Sequence, residues 1–548
     1  MIEKLVGARF SVNTLLTFLL ISLLTLALLM PVLVMFYQGA FAPFSLFSHL
    51  WQTVLPQYLS NTVWLGFNVV MLSLLFGGLS ALFLHFLPIA GANYLRWLLL
   101  LPLAMPAYLI AYLYTDLFDY AGLIQRFLRA TFDWQSPNDY WFFDLRTLGG
   151  ASVIIALVLF PYVYMITRTA LENLDPKLLQ ASQSLGVSPW RGIKRVILPL
   201  VRPALAVSAS LVLMETLADF ATVQYFAVNT LTTAIYDTWL GYSDLATANA
   251  LASILLLLVF FVVVLEQKSR SKLNAQSQNI ALAQTLFKPH KLMLWFATAF
   301  CWLLVIAGFL LPLALLLVMA WQYSDSQQLS LLMTIGGNSI YVAGIAATVA
   351  LLLAIVFTFY RKFSLTTFRQ FPLGLSSLGY AIPGTVLAMA LLSTFGPIDF
   401  WINDIAAAFD LERPGLVLSG TIFAVVFAFV VRFMAIANGT INTGIDQIPD
   451  NLIKAAKSLG SGHFSILRRV YLPLLKPSLL VAWLLVFVEA MKELPAVLLL
   501  RPFNFETLST YIYQLISDEQ LEQGALGAIL IVIFGLIPII WLNRKQEV

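Results

Sequence analysis

The chain has 548 residues, of which 60% are hydrophobic and 11% charged, and its net charge is +4. Soluble proteins average about 45–50% apolar and about 25% charged residues, so the composition excludes a soluble globular protein and places the chain in a lipid bilayer. The single cysteine, Cys301, lies in an apolar run, which excludes an intramolecular disulfide and a thiolate metal cluster.

About twelve apolar runs follow one another along the chain, each close to the roughly 20 residues that a membrane-spanning helix needs. The first run follows Lys4 and Arg9 and is too long for a cleaved secretory signal, so it predicts a retained anchor. The runs of the first half lie near residues 12–37, 61–87, 95–115, 150–170, 201–219 and 246–265. Those of the second half lie near residues 293–321, 335–360, 370–393, 416–436, 476–494 and 525–543.

The basic residues are distributed unequally between the two sides of the predicted membrane. If the N-terminus is cytoplasmic and the runs alternate, 25 of the 31 Lys and Arg residues fall inside, with Arg432 to Lys476 counted as one cytoplasmic segment. Positive charge is retained on the cytoplasmic side. The asymmetry therefore predicts a multi-pass protein with both termini in the cytoplasm.

An internal repeat relates the two halves of the chain. Residues 178–186 resemble residues 452–460 at an offset of 274, and a Leu-Pro pair follows thirteen residues after each final glycine, at Pro199 and at Pro473. A repeat of this length in a membrane protein indicates duplicated halves around a shared pathway. We expect six spans per copy, because an odd number would invert the second copy.

The repeat divides the chain into a first transmembrane domain at 1–265, a cytoplasmic linker at 266–292 and a second transmembrane domain at 293–548. The linker is polar, basic and free of long apolar runs. Farther upstream, Asn61-Thr62 opens one span as Asn338-Ser339 opens its counterpart, at an offset of 277.

Each repeated loop consists of a helix-forming stretch, a glycine, and a second short stretch that ends in Leu-Pro. Glycine adopts the left-handed conformation that ends a helix, and the residue before proline disfavours the helical conformation. The motif therefore predicts two short helices in a rigid elbow, with Leu-Pro stopping the second helix before the next span. The elbow's basic residues are expected on its solvated or lipid-facing side: Arg191, Lys194, Arg195, Arg468 and Arg469.

The segments Gln180-Ala-Ser-x-x-Leu-Gly186 and Lys454-Ala-Ala-x-x-Leu-Gly460 resemble the Glu-Ala-Ala loop of binding-protein-dependent ABC importer permeases. The resemblance covers essentially the whole chain, and it implies an all-α integral membrane fold: two fused six-helix domains of the type I importer class, about twelve spans in tandem. In that family the loop is a coupling helix seated in a cleft of the ATPase. The residues that this assigns to coupling are Gln180, Ala181, Leu185, Gly186, Pro199, Lys454, Ala455, Leu459, Gly460 and Pro473.

The usual glutamate of that loop is replaced by Gln180 in the first copy and by Lys454 in the second. The resemblance therefore implies that a charge contact with the ATPase is lost in one copy and reversed in the other. Recognition by shape is expected to remain in both.

The expected partners follow from the same resemblance. No G-x-x-x-x-G-K-[ST] phosphate loop occurs in the sequence, so we expect a permease without enzymatic activity or a bound cofactor, with ATP used by a separate subunit. The resemblance implies two copies of a cytoplasmic ABC ATPase, a periplasmic substrate-binding protein, and membrane lipid of the bacterial inner membrane. No nucleic acid is expected.

Acidic residues near the outer end of each fifth span form the second candidate site. The two pairs are Glu215 with Asp219, and Glu489 with Glu493. Acids within a membrane are costly and indicate function, and a spacing of four places each pair on one helix face. Duplicated, the pairs offer four carboxylates to a pathway, although they also suit the capping of broken helices, with Lys492 neutralising one of them.

The cargo is predicted from these acids and from a second resemblance. Hard cations prefer oxygen ligands, and the four histidines, at 49, 85, 290 and 463, show no ligand spacing and are expected to be structural. Residues 215–240 and 491–513 resemble ferric iron permeases, which implies Fe³⁺ delivered by a periplasmic binding protein. Fused permeases for thiamine, sulfate, polyamines or phosphonates share the loop motif and stay as alternatives.

An ion-coupled secondary transporter is a further alternative from another class. Its coupling acids are expected near the bilayer midplane. The acids of this chain lie towards one end of the span, and the paired loops have no role in such a transporter.

The largest outer loop, at about 116–148, carries five aspartates among aromatic residues such as Tyr140 to Phe143. Aromatic residues gather at membrane surfaces, so the loop suits an interfacial belt. A docking face for an external partner is the alternative interpretation.

Overall fold

The structure, a computed structural model, describes residues 12–41, 44–174, 184, 187–273, 290–323, 326–363 and 377–544. The all-α fold predicted from the sequence is confirmed, because the described residues contain helices and no strand. The coupling-loop residues 180, 181, 185 and 186 lie outside the described residues, as does the greater part of the predicted linker.

The helices of the first half are α1 (Val12–Ala40), α2 (Phe44–Thr53), α3 (Leu55–Phe86), α4 (Ala92–Leu98), α5 (Ala107–Phe118), α6 (Leu123–Phe132), α7 (Leu148–Glu172), α8 (Pro189–Gly192), α9 (Leu198–Ala218), α10 (Ala221–Tyr225), α11 (Leu231–Leu240) and α12 (Leu245–Leu273). Those of the second half are α13 (Lys291–Val305), α14 (Leu311–Tyr323), α15 (Ser326–Phe363), α16 (Gly384–Ala408), α17 (Ile422–Asp446), α18 (Asp450–Ser458), α19 (His463–Ile466), α20 (Leu472–Lys492), α21 (Pro495–Leu500), α22 (Leu508–Ser517) and α23 (Leu521–Arg544). Short 3₁₀ turns lie at Leu101–Ala104, Pro137–Asp139 and Ser377–Ala381, and π turns at Ile193–Ile197, Ile306–Leu310 and Leu467–Tyr471.

Among the described residues, eleven helices are long and apolar enough to cross a membrane, and one bent helix pair brings the number to twelve. The pair joins Ala92–Ala104 to Ala107–Phe132 through a bend of 92° and replaces the run predicted at 95–115. The break falls at Pro106, which has no N–H to continue a helical ladder. About twelve spans are thus confirmed, with the third of them broken.

The ninth span differs from its predicted position at 370–393. It begins at Gly384, directly after Pro383, and runs on to Ala408. Pro383 is the counterpart of Pro106 at the offset of 277, so both halves break at the same place. Hydropathy alone placed this run too early, because the apolar residues before Pro383 form a 3₁₀ turn at Ser377–Ala381.

The chain forms two compact units. One contains residues 1–43, 238–253 and 331–510, and the other contains residues 44–237, 254–330 and 511–548. Each unit thus combines the central spans of one sequence half with terminal helices of the other. The predicted domains at 1–265 and 293–548 describe the sequence repeat and stay a prediction; the helix α12 runs past the first boundary to Leu273.

Within the first unit, a buried polar cluster connects α1 and α12 of the first sequence half to α16 of the second. The Asn249 Nδ2 group of α12 donates to Gln38 Oε1 of α1 at 2.9 Å and lies 2.8 Å from Ser393 Oγ of α16. Gln38 Nε2 donates to the Ser393 carbonyl oxygen at 3.2 Å, which closes the cluster. Since buried polar groups are costly without partners, these bonds fix how the three helices align.

Close helix packing in the second unit depends on a glycine of α3. A Cβ atom at Gly77 would lie against the Phe160 carbonyl oxygen and 2.7 Å from the Tyr164 amide nitrogen, both in α7. The adjacent Gly78 has nothing within 4 Å of the same position. The two helices therefore approach closely along the Gly77 side of α3.

We predict that Gly77→Ala lowers the thermal stability of the purified protein, because the α7 backbone must move to admit the methyl group. Overpacking of this kind costs about 1–3 kcal/mol. Gly78→Ala is the matched control, expected to be neutral or to stabilise by about 0.5–1 kcal/mol through helix propensity. Thermal unfolding in detergent checks both, and equal melting temperatures for the two variants would contradict the close approach.

Candidate coupling elbow and span-five acids

The second-copy elbow is fully described and begins with α18. This helix ends at Ser458, and Gly460 follows with φ of +77°. The Ser461 amide donates to the Ala456 carbonyl at 3.1 Å, and the Gly460 amide donates to that of Lys457 at 3.0 Å, which caps the helix end. This is the left-handed helix stop that the sequence predicts.

The surface of this elbow is apolar at places where no lipid is expected. The helix α18 lies between the spans Ile422–Asp446 and Phe464–Lys492, and its Ile453 is anchored in the protein at 8% exposure. Leu459, by contrast, is 86% exposed and Leu452 is 48% exposed. Exposed apolar side chains on a loop outside the bilayer indicate a protein interaction surface. Lys454 and Ala455 share this exposed surface.

In the first copy only the second part of the elbow is described, from Pro189 onward. It matches the second copy residue for residue: the π turn at Ile193–Ile197 corresponds to Leu467–Tyr471, and α9 corresponds to α20, at an offset of 274. The predicted exposure of the five basic side chains is confirmed in both copies.

The prediction that Leu-Pro stops the second elbow helix is wrong. Pro199 and Pro473 lie in the first turn of α9 and α20, and the backbone remains helical through both positions. The preceding π turn explains this, since the Leu198 amide bonds back five residues to the Ile193 carbonyl, as Leu472 does to Leu467. The widened turn accommodates a proline that has no N–H to donate. The second part of each elbow thus continues into its fifth span as one helix.

The span-five acids lie where each fifth span ends. Glu215 and Glu489 lie within α9 and α20, but Asp219 and Glu493 come directly after the helix ends, in extended backbone. The chain turns there to start the short helices α10 and α21, and the shared helix face of each pair stays a prediction.

Asp219 and Glu493 instead cap these short helices. The Thr222 amide donates to Asp219 Oδ1 at 3.0 Å and the Thr222 hydroxyl bonds to Oδ2 at 2.9 Å. The Ala496 amide donates to Glu493 Oε1 at 3.2 Å. The capping alternative therefore describes this second acid of each pair, since free N–H groups at a helix start favour a carboxylate acceptor.

Glu493 also holds a buried arginine that the sequence interpretation misplaced. Arg432 Nη1 lies 2.9 Å from Glu493 Oε1, with the side chains 11% and 6% exposed. Arg432 belongs to the span α17, although it was counted with the cytoplasmic residues. Its first-half counterpart at the offset of 274 is Val158, so only the second copy has a base at this position.

The ion pair needs the glycine that opens α16. A Cβ atom at Gly384 would lie against Glu493 Oε1 and 2.5 Å from Arg432 Nη1. The first-half counterpart of Gly384 is Ala107, in the copy where Val158 replaces the arginine. Glycine therefore stands in the copy that has the arginine, and alanine stands in the copy that has valine.

Lys492 pairs with the other acid of the second copy. Its Nζ lies 3.2 Å from Glu489 Oε1, and the Glu489 side chain is 34% exposed. The neutralisation foreseen for Lys492 thus falls on Glu489, one turn before the buried pair. Among the described residues, no group of three or more His, Cys, Asp or Glu side chains is arranged to hold a metal ion.

A repeated set of hydrogen bonds ties the starts of α11 and α22, the helices that follow each fifth span, to the second span of the same copy. Asn61 Nδ2 donates to the Asn229 carbonyl at 2.9 Å, and Asn338 Nδ2 donates to that of Glu506 at 3.1 Å. The adjacent hydroxyls accept as well, Thr62 from the Leu231 amide and Ser339 from the Leu508 amide. The sequence repeat had paired these residues as counterparts, but it did not show which groups they hold.

Comparison with known proteins agrees with this arrangement. Residues 73–271 and 363–547 match the family described as binding-protein-dependent transport system inner membrane component. The chain belongs to this family and carries two copies of its domain. It is therefore a multi-pass inner-membrane transport permease and not an enzyme.

Several curated relatives extend over nearly the whole chain. The Fe(3+)-transport system permease protein FbpB 2 of Haemophilus influenzae is 25% identical over 89% of this chain and 90% of its own length. The ferric transport system permease protein FbpB of Actinobacillus pleuropneumoniae is 27% identical over 92% of this chain and 73% of its own. A putative 2-aminoethylphosphonate transport system permease protein, PhnU of Salmonella typhi, is 29% identical over 40% of this chain and 76% of its own.

We predict that Arg432→Val alone sharply lowers the folded yield and melting temperature. Removing one member of a buried pair costs about 3–5 kcal/mol because the other charge stays buried. Arg432→Val combined with Glu493→Gln should recover most of the loss, since glutamine is uncharged and still accepts from the Ala496 amide.

Lys492→Ala is the control, because its more exposed pair is worth about 0–1 kcal/mol. Melting temperatures by fluorescence-detected size exclusion give the comparison. If the double variant is no better than Arg432→Val, the charge balance is not what holds this segment.

Proposed function

We propose that the chain is the permease of an ATP-driven importer that moves ferric iron, delivered by an extracytoplasmic binding protein, into the cytoplasm. The full-length relatives named as ferric permeases support the cargo. The single observation that carries the coupling is the second-copy elbow, where exposed Leu452 and Leu459 precede the left-handed Gly460.

The elbow is built to transmit movement. The span Phe464–Lys492 is one continuous helix of 29 residues, so at 1.5 Å per residue it is roughly 40 Å long. A displacement of the second elbow helix by an ATPase therefore reaches Glu489 within this helix and Glu493 just past its end. In this mechanism, ATP binding closes two ATPase copies, the elbows move with them and the permease opens outward; hydrolysis resets it inward.

The proposed cargo path uses the first acid of each pair. Asp219 and Glu493 cap the short helices that follow the fifth spans. We place Glu215 and Glu489, which lie within those spans, as the acids that meet the cargo. Carboxylate oxygens suit a hard cation such as Fe³⁺. Glu489 is 34% exposed and pairs with Lys492 at 3.2 Å, so it can exchange that partner for a passing cation.

A phosphonate is the second candidate cargo, because of the 2-aminoethylphosphonate relative. Its negative charge is repelled by the same acids. The two cargoes therefore predict opposite effects of removing the carboxylates.

We expect ATP-dependent uptake of radiolabelled ferric iron by proteoliposomes that contain the permease with its ATPase and binding protein. Glu215→Ala combined with Glu489→Ala should lower iron uptake at least tenfold while ATP hydrolysis persists. Glu412→Ala, an exposed acid of an outer loop, is the control and should leave uptake unchanged. Uptake of labelled 2-aminoethylphosphonate, raised or unaffected by the double change, would replace iron as the cargo.

We also expect Gly460→Val to abolish ATPase binding and uptake. The position has open space around it but a φ of +77°, so a β-branched residue strains the backbone rather than clashing. Gly460→Asn should keep most activity, because asparagine tolerates this conformation. Gly462→Ala, also in open space, is the matched control, and co-purification of the ATPase with each variant is the measurement. Full ATPase binding by Gly460→Val would contradict the coupling role.

A further inference from the structure

The outer loop between α5 and α7 folds into a compact body. Tyr140 donates its hydroxyl hydrogen to Gln125 Oε1 at 2.5 Å, and Gln125 Nε2 donates to the Phe118 carbonyl at 2.7 Å. The Arg129 guanidinium lies 3.9 Å from the centre of the Tyr120 ring and donates to Tyr140 at 3.2 Å. The loop is thus ordered by its own side chains.

This body encloses a pocket of about 400 Å³ that opens to the surface. Its walls are mainly aromatic: Phe118, Tyr120, Tyr140, Trp141, Phe142 and Phe143. Phe142 and Phe143 stack at 4.7 Å, and Phe143 lies 5.3 Å from Phe118. Trp141 is 86% exposed at the rim. The stacked rings therefore form the wall of a preformed cavity. An interfacial belt consists of separate aromatic residues and does not require such a cavity.

The charges in this pocket favour a cation. Asp119 and Asp144 both line it, and each uses Oδ1 to accept one backbone amide, from Tyr120 at 2.7 Å and from Arg146 at 2.8 Å. The Oδ2 atom of each accepts no hydrogen bond from the described residues. Two carboxylates beside ring faces attract a positive group, because the ring faces are negative.

The arginine in the pocket wall, Arg146, offsets these acids only in part. Arg146 Nη2 lies 2.9 Å from Glu519 Oε1, and its guanidinium is 5.3 Å from the centre of the Tyr225 ring. The hydrogen bond to Glu519 raises the pKa of Arg146. Its charge is therefore shared between Glu519 and Asp119, and the three carboxylates of Asp119, Asp144 and Glu519 outnumber this one arginine in and beside the pocket.

The second copy has no such body at the corresponding place. Residues 409–421 between α16 and α17 contain no helix, and buried Asp399 holds them by accepting the amides of Leu418 and Ser419, each at 2.8 Å. The pocket is therefore a feature of the first copy, on the side that the charge asymmetry predicts to be extracytoplasmic.

We propose that this pocket receives a lysine or arginine side chain of the extracytoplasmic binding protein. The proposal rests on the proposed function, in which such a protein delivers the cargo. A pocket of this volume admits one long side chain, and a rigid aromatic site with an exposed tryptophan at its rim is typical of the anchoring points of protein interfaces. A free organic cation is the other occupant that this chemistry admits.

The test compares binding-protein affinity for the permease and ATPase complex in nanodiscs. Asp119→Asn with Asp144→Asn keeps the backbone acceptors and removes both charges, so affinity should fall about tenfold; Trp141→Ala should fall similarly. Matched controls are Glu412→Gln and Trp321→Ala, since Glu412 is exposed and Trp321 is 90% exposed outside the pocket. Both controls should bind as the unaltered protein does, and ATP hydrolysis without binding protein should be unchanged in every variant.

The reciprocal experiment changes the lysines and arginines of the binding protein to alanine one at a time. One of these changes should lower the affinity as much as the pocket variants do. Combined with a pocket variant, it should lower the affinity no further, as coupled residues do in a double-mutant cycle. Unaltered affinity in the pocket variants overturns the proposal. It is also overturned if tetramethylammonium quenches the fluorescence of Trp141 and the binding protein does not compete with it. If the binding protein binds through the pocket but the unaltered system takes up no iron, the iron cargo is rejected. The assignment of the pocket is then retained.

Discussion

The bilayer supplies no water to the backbone, and every break in a spanning helix must therefore be closed by the protein itself. The fifth spans break at Asp219 and Glu493, where short helices begin with free N–H groups. The carboxylates of these two residues accept from Thr222 and Ala496, and hydroxyls of the second spans accept the amides of Leu231 and Leu508. These closures hold the outer ends of the spans in place, so the position of any acid that meets cargo depends on them.

The same requirement is met differently in the two copies. Asp219 is held by a threonine hydroxyl, whereas Glu493 is held by Arg432. The arginine fits only because Gly384 leaves room, and the other copy has Val158 and Ala107 at the two positions. A hydroxyl contact exchanges with water more readily than a buried ion pair does, since separating the pair leaves two uncompensated charges. The segment after the fifth span is therefore held by different contacts in the two copies, a hydroxyl in the first and an ion pair in the second.

The sequence was sufficient for features that depend on local pattern, and insufficient where distant partners decide. Apolar length predicted about twelve spans, the offset of 274 aligned the elbows and the glycine predicted the left-handed stop at Gly460. The π turns before Pro199 and Pro473 were missed, because proline usually ends a helix and nothing local announces a wider turn. Arg432 was counted as cytoplasmic because its partner Glu493 lies 61 residues farther along the chain. An arginine within an otherwise apolar run, facing an acid in a later run, was the signal available.

The two copies thus share one structural feature of the fifth span and differ in two others. Both have the continuous helix from the second part of the elbow to the end of the fifth span, which is the part that moves in the proposed mechanism. The outer pocket belongs to the first copy, and the buried ion pair to the second. In a homodimer, one sequence must serve in both positions. Fusion of the two copies in one chain removes this constraint, so each copy can diverge. In the proposed docking, an outer surface that differs between the copies gives the binding protein one orientation.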